Sequence, residues 1–358
     1  MNGEKRKETV FVGLSGGVDS SVAAKRLIEE GYSVIGVFIK TWQPDFLVCN
    51  WEAERLDAMR VAALLNIPFL TCDAEESYRT GVAEYMIEEY RKGRTPNPDV
   101  MCNRYVKFGT FLSYAKERGG MKVATGHYAR IEEKEGVFHL SRGVDQSKDQ
   151  SYFLWTLTQE QLACILFPVG DTNKSTIRKE ADAINLPTST KADSQGVCFI
   201  GDIDMKEFLK HYIHTTEGSV LDEAGNTIGT HDGALLYTLG QRHGFTITTD
   251  TAKSVPHYVR AKNIDENTIT VSTTPLTLSK NEIHLSELNL IQGTLPPICE
   301  AQFRYRQKPF PVQCRVRDDG RAILKVMDER IEMPSVGQSC VFYTGAECLG
   351  GGIISHIL

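Results

Sequence analysis

Short apolar segments alternate with amphipathic helical segments along the first 130 residues, and this alternation constrains the fold more than any other feature. TVFVGL, SVIGVFI and PFLTC are predicted strands, and residues 18–30 and 52–66 are predicted helices with apolar side chains at helical spacing. Such alternation predicts an α/β fold, a doubly wound parallel sheet covered by helices on both faces. Ligands bind beyond the carboxyl ends of such strands, where SGGVDSS, Lys40 and Gly126-His127 are expected.

The sequence changes character after about residue 200. Residues 218–245 are Gly-rich, with short predicted strands and a turn at Ala224-Gly225-Asn226. From about residue 280, apolar and polar residues alternate, and a second turn is predicted at Asp319-Gly320. We therefore predict three domains: an α/β domain over 1–203, a small central module over 204–279, and a closed or nearly closed C-terminal β-barrel over 280–358.

The Gly-rich segment between the first strand and the first helix is typical of a phosphate-binding loop. Ser15, Gly16, Gly17 and Ser20 offer hydroxyls and backbone N–H groups to an anion at a helix N-terminus, where the helix dipole also favours negative charge. The lysine that a P-loop uses to hold the β- and γ-phosphates is absent. Asp19 fits an anion site only if Mg²⁺ bridges it to the phosphates. A plain strand-to-helix turn is the structural alternative.

Composition is that of a water-soluble protein of a reducing compartment. The chain has 358 residues, a formal net charge of −6 and nine cysteines without C-x-x-C pairing, and we expect no disulfide framework, no membrane span, no secretory signal and a cytoplasmic location. Two stretches are locally basic, each with seven basic and two acidic residues: 91–118 and 301–325. Such stretches can bind a polyanion, although a solvated, salt-bridged surface explains them equally.

Two further motifs each place a cysteine in a loop. In GRTPNPDVMCN, two prolines stiffen an extended segment that delivers Asp99 and Cys102 to the start of a helix. A helix N-terminus and nearby Arg104 predict a lowered pKa for the Cys102 thiol. Asp99 is either a general base or a helix cap. In KADSQGVCFIGD, Cys198 lies in a Gly-punctuated loop, and by itself it would be read as a buried structural thiol.

The motifs together resemble a known family. SGGVDSS resembles the loop of the PP-loop ATP pyrophosphatase superfamily, whose members attack the α-phosphorus of ATP and release pyrophosphate into the loop. Across nearly the whole chain the sequence resembles the tRNA-specific 2-thiouridylases. The matching blocks are GLSGGVDSSVAA, GRTPNPDVMCN, ATGHYAR, KDQSYFLW, LFPVGD, DSQGVCFIG, TLGQR and CLGGGII.

The resemblance implies a set of site residues. Cys102 is expected to be the nucleophile and Cys198 the persulfide carrier, with Asp99 beside them. The implied ATP site consists of Gly13, Leu14, Ser15, Gly16, Gly17, Val18, Asp19, Ser20, Ile39 and Gly126, with Mg²⁺ arriving with ATP near Asp19. The residues implied to contact the target base or other parts of the tRNA are Asn97, Pro98, Asp99, His127, Lys148, Asp149, Gln150, Arg304, Tyr305 and Gln338.

The implied reaction is ATP-dependent 2-thiolation of the wobble uridine (position 34) of tRNA, with Lys, Glu and Gln acceptors expected. The uridine is flipped out, its 2-carbonyl is adenylated, and persulfide sulfur replaces the oxygen, leaving AMP and pyrophosphate. Both orders of the two thiol steps end in a Cys102–Cys198 disulfide that cellular thiols reduce. The implied sulfur donor is a cysteine desulfurase or a sulfur relay carrier, and the enzyme is expected to be a monomer.

Three other functions fit parts of the sequence. A small-molecule PP-loop ligase would share SGGVDSS but need no reactive cysteine pair. A non-catalytic RNA-binding or sulfur-carrier protein would leave the loop idle. An iron–sulfur enzyme would need a third ligand, such as Asp99. Two departures from the family pattern stand out: Ile39 replaces a common methionine, and HGFTITTD follows TLGQR.

Overall fold

A computed structural model describes residues 8–47, 51–187, 189–191, 204–249, 255–278, 282–327 and 331–358. Cys198 and the segment around it lie outside these ranges. Within the described ranges, no helix combines the length and hydropathy needed to cross a membrane.

The first domain is built on a five-stranded parallel sheet. Its strands are β1 (Thr9–Gly13), β2 (Ser33–Lys40), β3 (Phe69–Asp73), β4 (Lys122–Ala124) and β7 (Ile165–Leu166). Their order is β3-β2-β1-β4-β7, so the chain runs outward on one side of β1 and then crosses to the other. The predicted doubly wound α/β sheet is confirmed, and the crossing point beside β1 is where such sheets bind ligands.

Helices cover both faces of this sheet. They are α1 (Val18–Glu29), α2 (Trp51–Leu64), α3 (Glu75–Tyr78), α4 (Tyr85–Arg91), α5 (Pro98–Met101), α6 (Phe111–Glu117), α7 (Gln159–Leu162) and α8 (Lys174–Ala183). One buried cluster on α1 (Val18, Val22, Leu27) packs against α2 and β1, and a second cluster fills the opposite face. Burial on both faces explains why the strands are almost continuously apolar.

Two of these helical stretches change to π-helix partway along. Residues 75–91 form one stretch interrupted by a π-helical segment, Arg79–Glu84, and residues 98–117 form another interrupted by Cys102–Thr110. A π-helix forms i→i+5 hydrogen bonds, so residues five apart lie about one turn from each other. Such segments are frequent at functional sites, and the second one begins at Cys102.

In the described part of the central module, the α-helix α9 (Met205–Lys210) and a short 3-10 helix (Ala234–Leu236) accompany a small mixed sheet. The strands are β8 (Gly218–Leu221), β9 (Thr227–His231), β10 (Thr246–Ile247), β11 (Tyr258–Asn263) and β12 (Thr268–Ser272), in the order β10-β9-β8-β12-β11. The predicted turn lies between β8 and β9, where Gly225 has φ +86°.

Six strands close into the C-terminal barrel. They are β13 (Glu282–Leu290), β14 (Ile298–Gln302), β15 (Phe310–Val316), β16 (Ala322–Val326), β17 (Ser339–Thr344) and β18 (Glu347–Ile357). Their order is β13-β16-β15-β14-β17-β18, and pairing of β13 with β18 completes the closure. The predicted barrel and its turn at Asp319-Gly320 are confirmed.

A hairpin of the first domain extends the barrel sheet, which the sequence patterns did not predict. The hairpin consists of β5 (Ala129–Lys134) and β6 (Val137–Arg142), and β6 pairs with the start of β18. The chain therefore leaves the parallel sheet at Ala124, contributes two strands to the barrel sheet, and returns at β7. This exchange of strands joins the α/β domain to the barrel through backbone hydrogen bonds.

A buried polar network also connects the α/β domain to the barrel near this hairpin. The carboxylate of Asp149 accepts hydrogen bonds from Arg142 Nη1 at 2.7 Å, from the N–H groups of Gly143 and Ser151, and from Ser151 Oγ. The Arg142 guanidinium lies over the Tyr343 ring, 3.6 Å from its centroid, and also donates to the Gln302 side chain. Asp149 is 7% exposed, so its charge depends on these donors.

We predict that Asp149→Ala lowers the free energy of unfolding by about 3–5 kcal/mol, because it leaves the Arg142 charge unpaired in a buried site. Urea denaturation followed by tryptophan fluorescence measures the change. Glu132→Ala on the same hairpin removes only an exposed pair with Lys134 and should leave the free energy of unfolding unchanged. Equal effects of the two variants would contradict a structural role for Asp149.

Candidate active site

The loop after β1 forms a small anion cradle at the N-terminus of α1. Ser20 Oγ accepts from the Ser15 N–H and lies 3.3 Å from Ser15 Oγ, and it also donates to the Gly17 carbonyl. Gly16 has φ +69°, and a Cβ there would lie 2.9 Å from the Glu54 carbonyl oxygen on α2. The glycine is therefore required both by its backbone conformation and by the close approach of α2.

A lysine missing from the loop's own sequence is supplied by α8. Lys174 Nζ lies 2.7 Å from each carboxylate oxygen of Asp19, and the Tyr128 hydroxyl donates to the same carboxylate at 2.7 Å. Lys174 is 8% exposed and begins α8. The sequence analysis missed this residue because it lies 155 positions from Asp19. The sequence feature that marked its neighbourhood was the family block LFPVGD, which lies just before Lys174.

Gly126 and Ile39 flank the cradle. A Cβ on Gly126 would lie 2.7 Å from the backbone nitrogen of Ser20, so this turn packs directly against the first turn of α1. Ile39 is 7% exposed, and its Cδ1 lies 3.6 Å from the Cβ position of Gly13. The structure therefore brings the expected nucleotide residues of β1, α1, β2 and β4 to one edge of the sheet.

The helical segment that begins at Cys102 contacts the Gly126 turn at this edge through Lys107, whose Nζ lies 3.5 Å from His127 Nε2. Asn97 is the N-cap of α5, since its side chain accepts from the Val100 N–H at 3.3 Å, so capping does not require Asp99. Cys102 is fully buried and begins the π-helical segment. The following residue, Asn103, donates to the carbonyls of Asp99 and Phe153. The Cys102 thiol is thus positioned by helical backbone but covered, and a substrate must open this region to reach it.

The basic stretch that contains Cys102 is largely paired with glutamates. Arg104 Nη1 lies 3.0 Å from the Glu287 carboxylate of the barrel, and Arg94 pairs with Glu89. Arg91 and Lys92 both lie within 4 Å of Glu88. These partners come mostly from outside 91–118, so the local positive charge is smaller than the sequence window suggests.

Both accessory domains hold the loop that precedes α5. Gln338 Nε2 of the barrel donates to the carbonyls of Thr95 at 2.9 Å and Pro96 at 3.2 Å, and the Thr95 N–H donates to Val336. The Thr238 hydroxyl of the TLGQR motif lies 3.1 Å from that of Thr95. A cavity of about 300 Å³ lies at this junction, lined by 238–241 and by barrel residues that include Arg304 and Gln338.

Residues 97–99, expected to meet the target base, are half-buried at the start of α5, and the other residues expected to contact tRNA divide into two groups. His127 and Asp149 are buried, and their polar atoms are used within the protein, as is Gln150, which accepts from the Tyr128 N–H. For these three, contact with tRNA remains a prediction that this conformation does not support. Those that lie at the surface or line the junction cavity are Lys148, Arg304, Tyr305 and Gln338.

Most of the other described cysteines are core residues. Cys72, Cys299, Cys314, Cys340 and Cys348 are buried, and Cys164 is half-buried. Burial raises the pKa of Cys72 to about 11 and that of Cys348 to about 12, so both stay protonated at neutral pH. Cys198 and Cys49 lie outside the described residues, so the geometry of the expected Cys102–Cys198 pair is not described.

Family models match all three parts of the chain. A model described as tRNA methyl transferase HUP domain matches residues 8–202, a tRNA methyl transferase PRC-barrel domain matches 206–273, and an aminomethyltransferase beta-barrel domain matches 280–354.

Relatives named as tRNA-specific 2-thiouridylases match over nearly the full length. The tRNA-specific 2-thiouridylase MnmA of Enterococcus faecalis is 43% identical over 99% of this chain and 96% of that protein. The MnmA proteins of Stenotrophomonas maltophilia and Bacillus subtilis are 44% and 40% identical, over 97% and 99% of this chain and 93% and 97% of theirs. The chain belongs to the tRNA-specific 2-thiouridylase family. Its matched segments include the Asp19 loop, the Cys102 helix and the barrel.

We predict that Gly126→Ala weakens ATP binding by about 10- to 100-fold, because the added methyl group overlaps the backbone of α1. Isothermal titration calorimetry with ATP and Mg²⁺ measures the dissociation constant. Gly136→Ala at the tip of the β5–β6 hairpin, where no atom lies within 4 Å of the added methyl, should leave ATP affinity unchanged. An unaltered dissociation constant in Gly126→Ala would place the nucleotide elsewhere.

We predict that Gln338→Met lowers turnover about tenfold or more while changing ATP affinity little, because two hydrogen bonds that hold the Thr95–Pro96 backbone are lost. Single-turnover product formation at saturating ATP and tRNA provides the rate. Gln313→Met on an exposed face of β15 is the matched control. If both variants turn over like the parent protein, the barrel does not support the catalytic loop.

Proposed function

We propose that this protein catalyses ATP-dependent 2-thiolation of the wobble uridine (position 34) of tRNA, giving 2-thiouridine, AMP and pyrophosphate. The proposal rests on one juxtaposition in a member of the thiouridylase family: an anion cradle whose loop has no lysine of its own is connected, through Gly126-His127 and Lys107, to the helical segment that begins at Cys102. We assign the chemistry to residues 1–203. We assign the tRNA contacts to the same domain and also to the central module (204–279) and the barrel (280–358).

The cradle is suited to hold the pyrophosphate part of ATP. The N-terminal amides of α1 and the Ser15 and Ser20 hydroxyls donate to phosphate oxygens, and the helix dipole adds attraction. Lys174 is close enough to move from Asp19 to a phosphate when ATP arrives. Asp19 is then the protein ligand available to Mg²⁺, which commonly binds one carboxylate together with substrate phosphates. The ion would neutralise charge on the leaving pyrophosphate.

Adenylation requires the uracil 2-oxygen to reach the α-phosphorus. We place the flipped uridine against 97–99, between the nucleotide cradle and Cys102. The uracil oxygen forms a bond to the α-phosphorus, and the bond to pyrophosphate breaks. The 2-carbon becomes electrophilic because AMP is a far better leaving group than oxide. Asp99 accepts the uracil N3 proton or orients the base.

Sulfur transfer uses the two loop cysteines. Cys198 carries a persulfide whose terminal sulfur attacks the activated carbon, and AMP leaves with the original oxygen. The Cys102 thiolate then attacks Cys198 Sγ, the bond between Cys198 and the transferred sulfur breaks, and its electrons form the thiocarbonyl. In the alternative order, the Cys102 thiolate first releases hydrosulfide from the Cys198 persulfide, and the hydrosulfide then attacks the activated carbon. This order of steps balances as well. Both leave a Cys102–Cys198 disulfide, which external thiols reduce in the next cycle.

The partners follow from this chemistry. Arg304 and Tyr305 of the barrel form a tRNA contact surface in which the Tyr305 ring packs on Phe153, 4.6 Å between centroids. The sulfur donor is a cysteine desulfurase or a persulfide relay protein. We propose that the enzyme works as a monomer in the cytoplasm on tRNAs with Lys, Glu and Gln identity.

The test is a reconstituted reaction with unmodified tRNA transcript, ATP, cysteine and a cysteine desulfurase, read out as 2-thiouridine by mass spectrometry and as AMP. We expect both products, and we expect Cys102→Ser and Cys198→Ser each to lower thiouridine at least 10³-fold because the sulfur route is cut. Cys164→Ser, at a half-buried position on the far side of β4, is the matched control. ADP in place of AMP would contradict attack at the α-phosphorus.

The rival small-molecule ligase gives a different result in the same assay. A ligase would form AMP without tRNA, once its own acceptor is present, and would retain activity in both cysteine variants. Formation of AMP only when tRNA is added, with loss of thiouridine in the variants, distinguishes the thiouridylase.

A further inference from the structure

Lys107 lies in the π-helical segment that begins at Cys102. Because residues five apart in a π-helix lie about one turn from each other, Lys107 follows Cys102 on a similar side of the helix. In a regular α-helix a residue five positions on would point well away from that side. The side chain of Lys107 is only half-buried, so a substrate can reach it.

The ammonium of Lys107 contacts the imidazole of His127. His127 Nε2 lies 3.5 Å from Lys107 Nζ, and Nδ1 lies 2.7 Å from Thr125 Oγ1. The imidazole is 6% exposed and packs against the rings of Phe108 and Phe167, which also contact each other. Burial, with the nearby Lys107 charge, holds the pKa of His127 well below its usual range, so the ring is neutral and accepts from the ammonium through Nε2.

The same short segment connects Lys107 to the nucleotide cradle. His127 directly follows Gly126, whose Cα is packed against the backbone of Asp19 and Ser20. His127 thus connects the ammonium of Lys107 to the first turn of α1. Lys174 is held at the same turn by Asp19. Ammonium groups from two distant segments of the chain are therefore both connected to the start of α1.

We propose that Lys107 is a catalytic residue that contacts the α-phosphate of ATP, and that His127 is a positioning residue that aims its ammonium. This inference rests on the proposed adenylation at that phosphorus. As the uracil oxygen bonds to the α-phosphorus and pyrophosphate departs, negative charge grows on the equatorial oxygens, and a fixed ammonium stabilises it. The same contact stabilises AMP as the leaving group in the sulfur step. No proton needs to leave Lys107 in either step.

The binding test compares AMP with adenosine in the absence of tRNA. If Lys107 contacts the α-phosphate, the parent protein binds AMP about 10- to 100-fold more tightly than adenosine, and Lys107→Met removes most of that difference. Lys116→Met on the exposed face of α6 serves as the matched control and should retain the full difference. Equal AMP and adenosine affinities in the parent protein, or an unchanged difference in Lys107→Met, would overturn the inference.

The kinetic test measures tRNA-dependent AMP formation in single turnovers at saturating ATP. We expect Lys107→Met to slow it by about 10²- to 10³-fold with intact tRNA affinity, and Lys107→Arg to recover part of the rate. A variant that loses tRNA affinity but keeps the rate at saturating tRNA would make Lys107 a tRNA contact and not a catalytic residue. If the parent protein forms no AMP with tRNA, the proposed function fails, whereas the AMP–adenosine comparison still tests the α-phosphate contact.

The role of His127 is separated from simple packing by two substitutions. His127→Gln keeps an acceptor for the Lys107 ammonium and should retain most of the AMP–adenosine difference. His127→Leu fills the same space without an acceptor and should lose it. In Lys107→Met the two substitutions should have no further effect on that difference, because they act through Lys107. Additive losses would show that His127 acts independently of Lys107.

Discussion

The first turn of α1 is the feature on which the rest of the site depends. Its amides point to the carboxyl edge of a parallel sheet, and Gly16 and Gly126 bring neighbouring backbone to within contact distance of it. A side chain at Gly16 would overlap the backbone of α2, and one at Gly126 would overlap the backbone of α1. The ion pair between Asp19 and Lys174 then sets the charge of this edge, with a carboxylate and an ammonium in reach of any phosphate that enters. The glycines permit the close packing that shapes the cradle, and the ion pair supplies charges of both signs.

The accessory domains act on this edge through the backbone before α5. Val336 and Gln338 of the barrel bind Thr95 and Pro96, while Thr238 of the central module contacts Thr95. The barrel is in turn tied to the α/β domain by the β5–β6 hairpin and by the buried Asp149 network. The same loop leads into the helix that carries the buried Cys102 thiol. Under the proposed function, tRNA bound at this junction would therefore act on the backbone that precedes Cys102.

Several residues matched family blocks but have different surroundings from those the blocks suggested. Asp149 and His127 belong to motifs expected to touch tRNA, yet both are buried and hydrogen-bonded within the protein. Asp99 could not be separated from a helix cap by sequence, and the cap is Asn97. Lys174 escaped notice because charge pairs between residues 155 positions apart leave no local pattern. In each case a short motif specifies the residue type, whereas its partner comes from a distant part of the chain.

The sequence alone determined the α/β class, the position of the anion cradle, the barrel and the identity of the two candidate loop cysteines. Those features follow from local rules: hydrophobic period, glycine in turns, proline in extended segments, and amides exposed at a helix start. The tertiary structure alone decided that a hairpin of the first domain joins the barrel sheet, that Lys174 faces Asp19, and that a π-helical turn sets Lys107 beside His127 near Cys102. These depend on burial and on pairing between distant segments, whose free energy is realised only when the whole chain has packed.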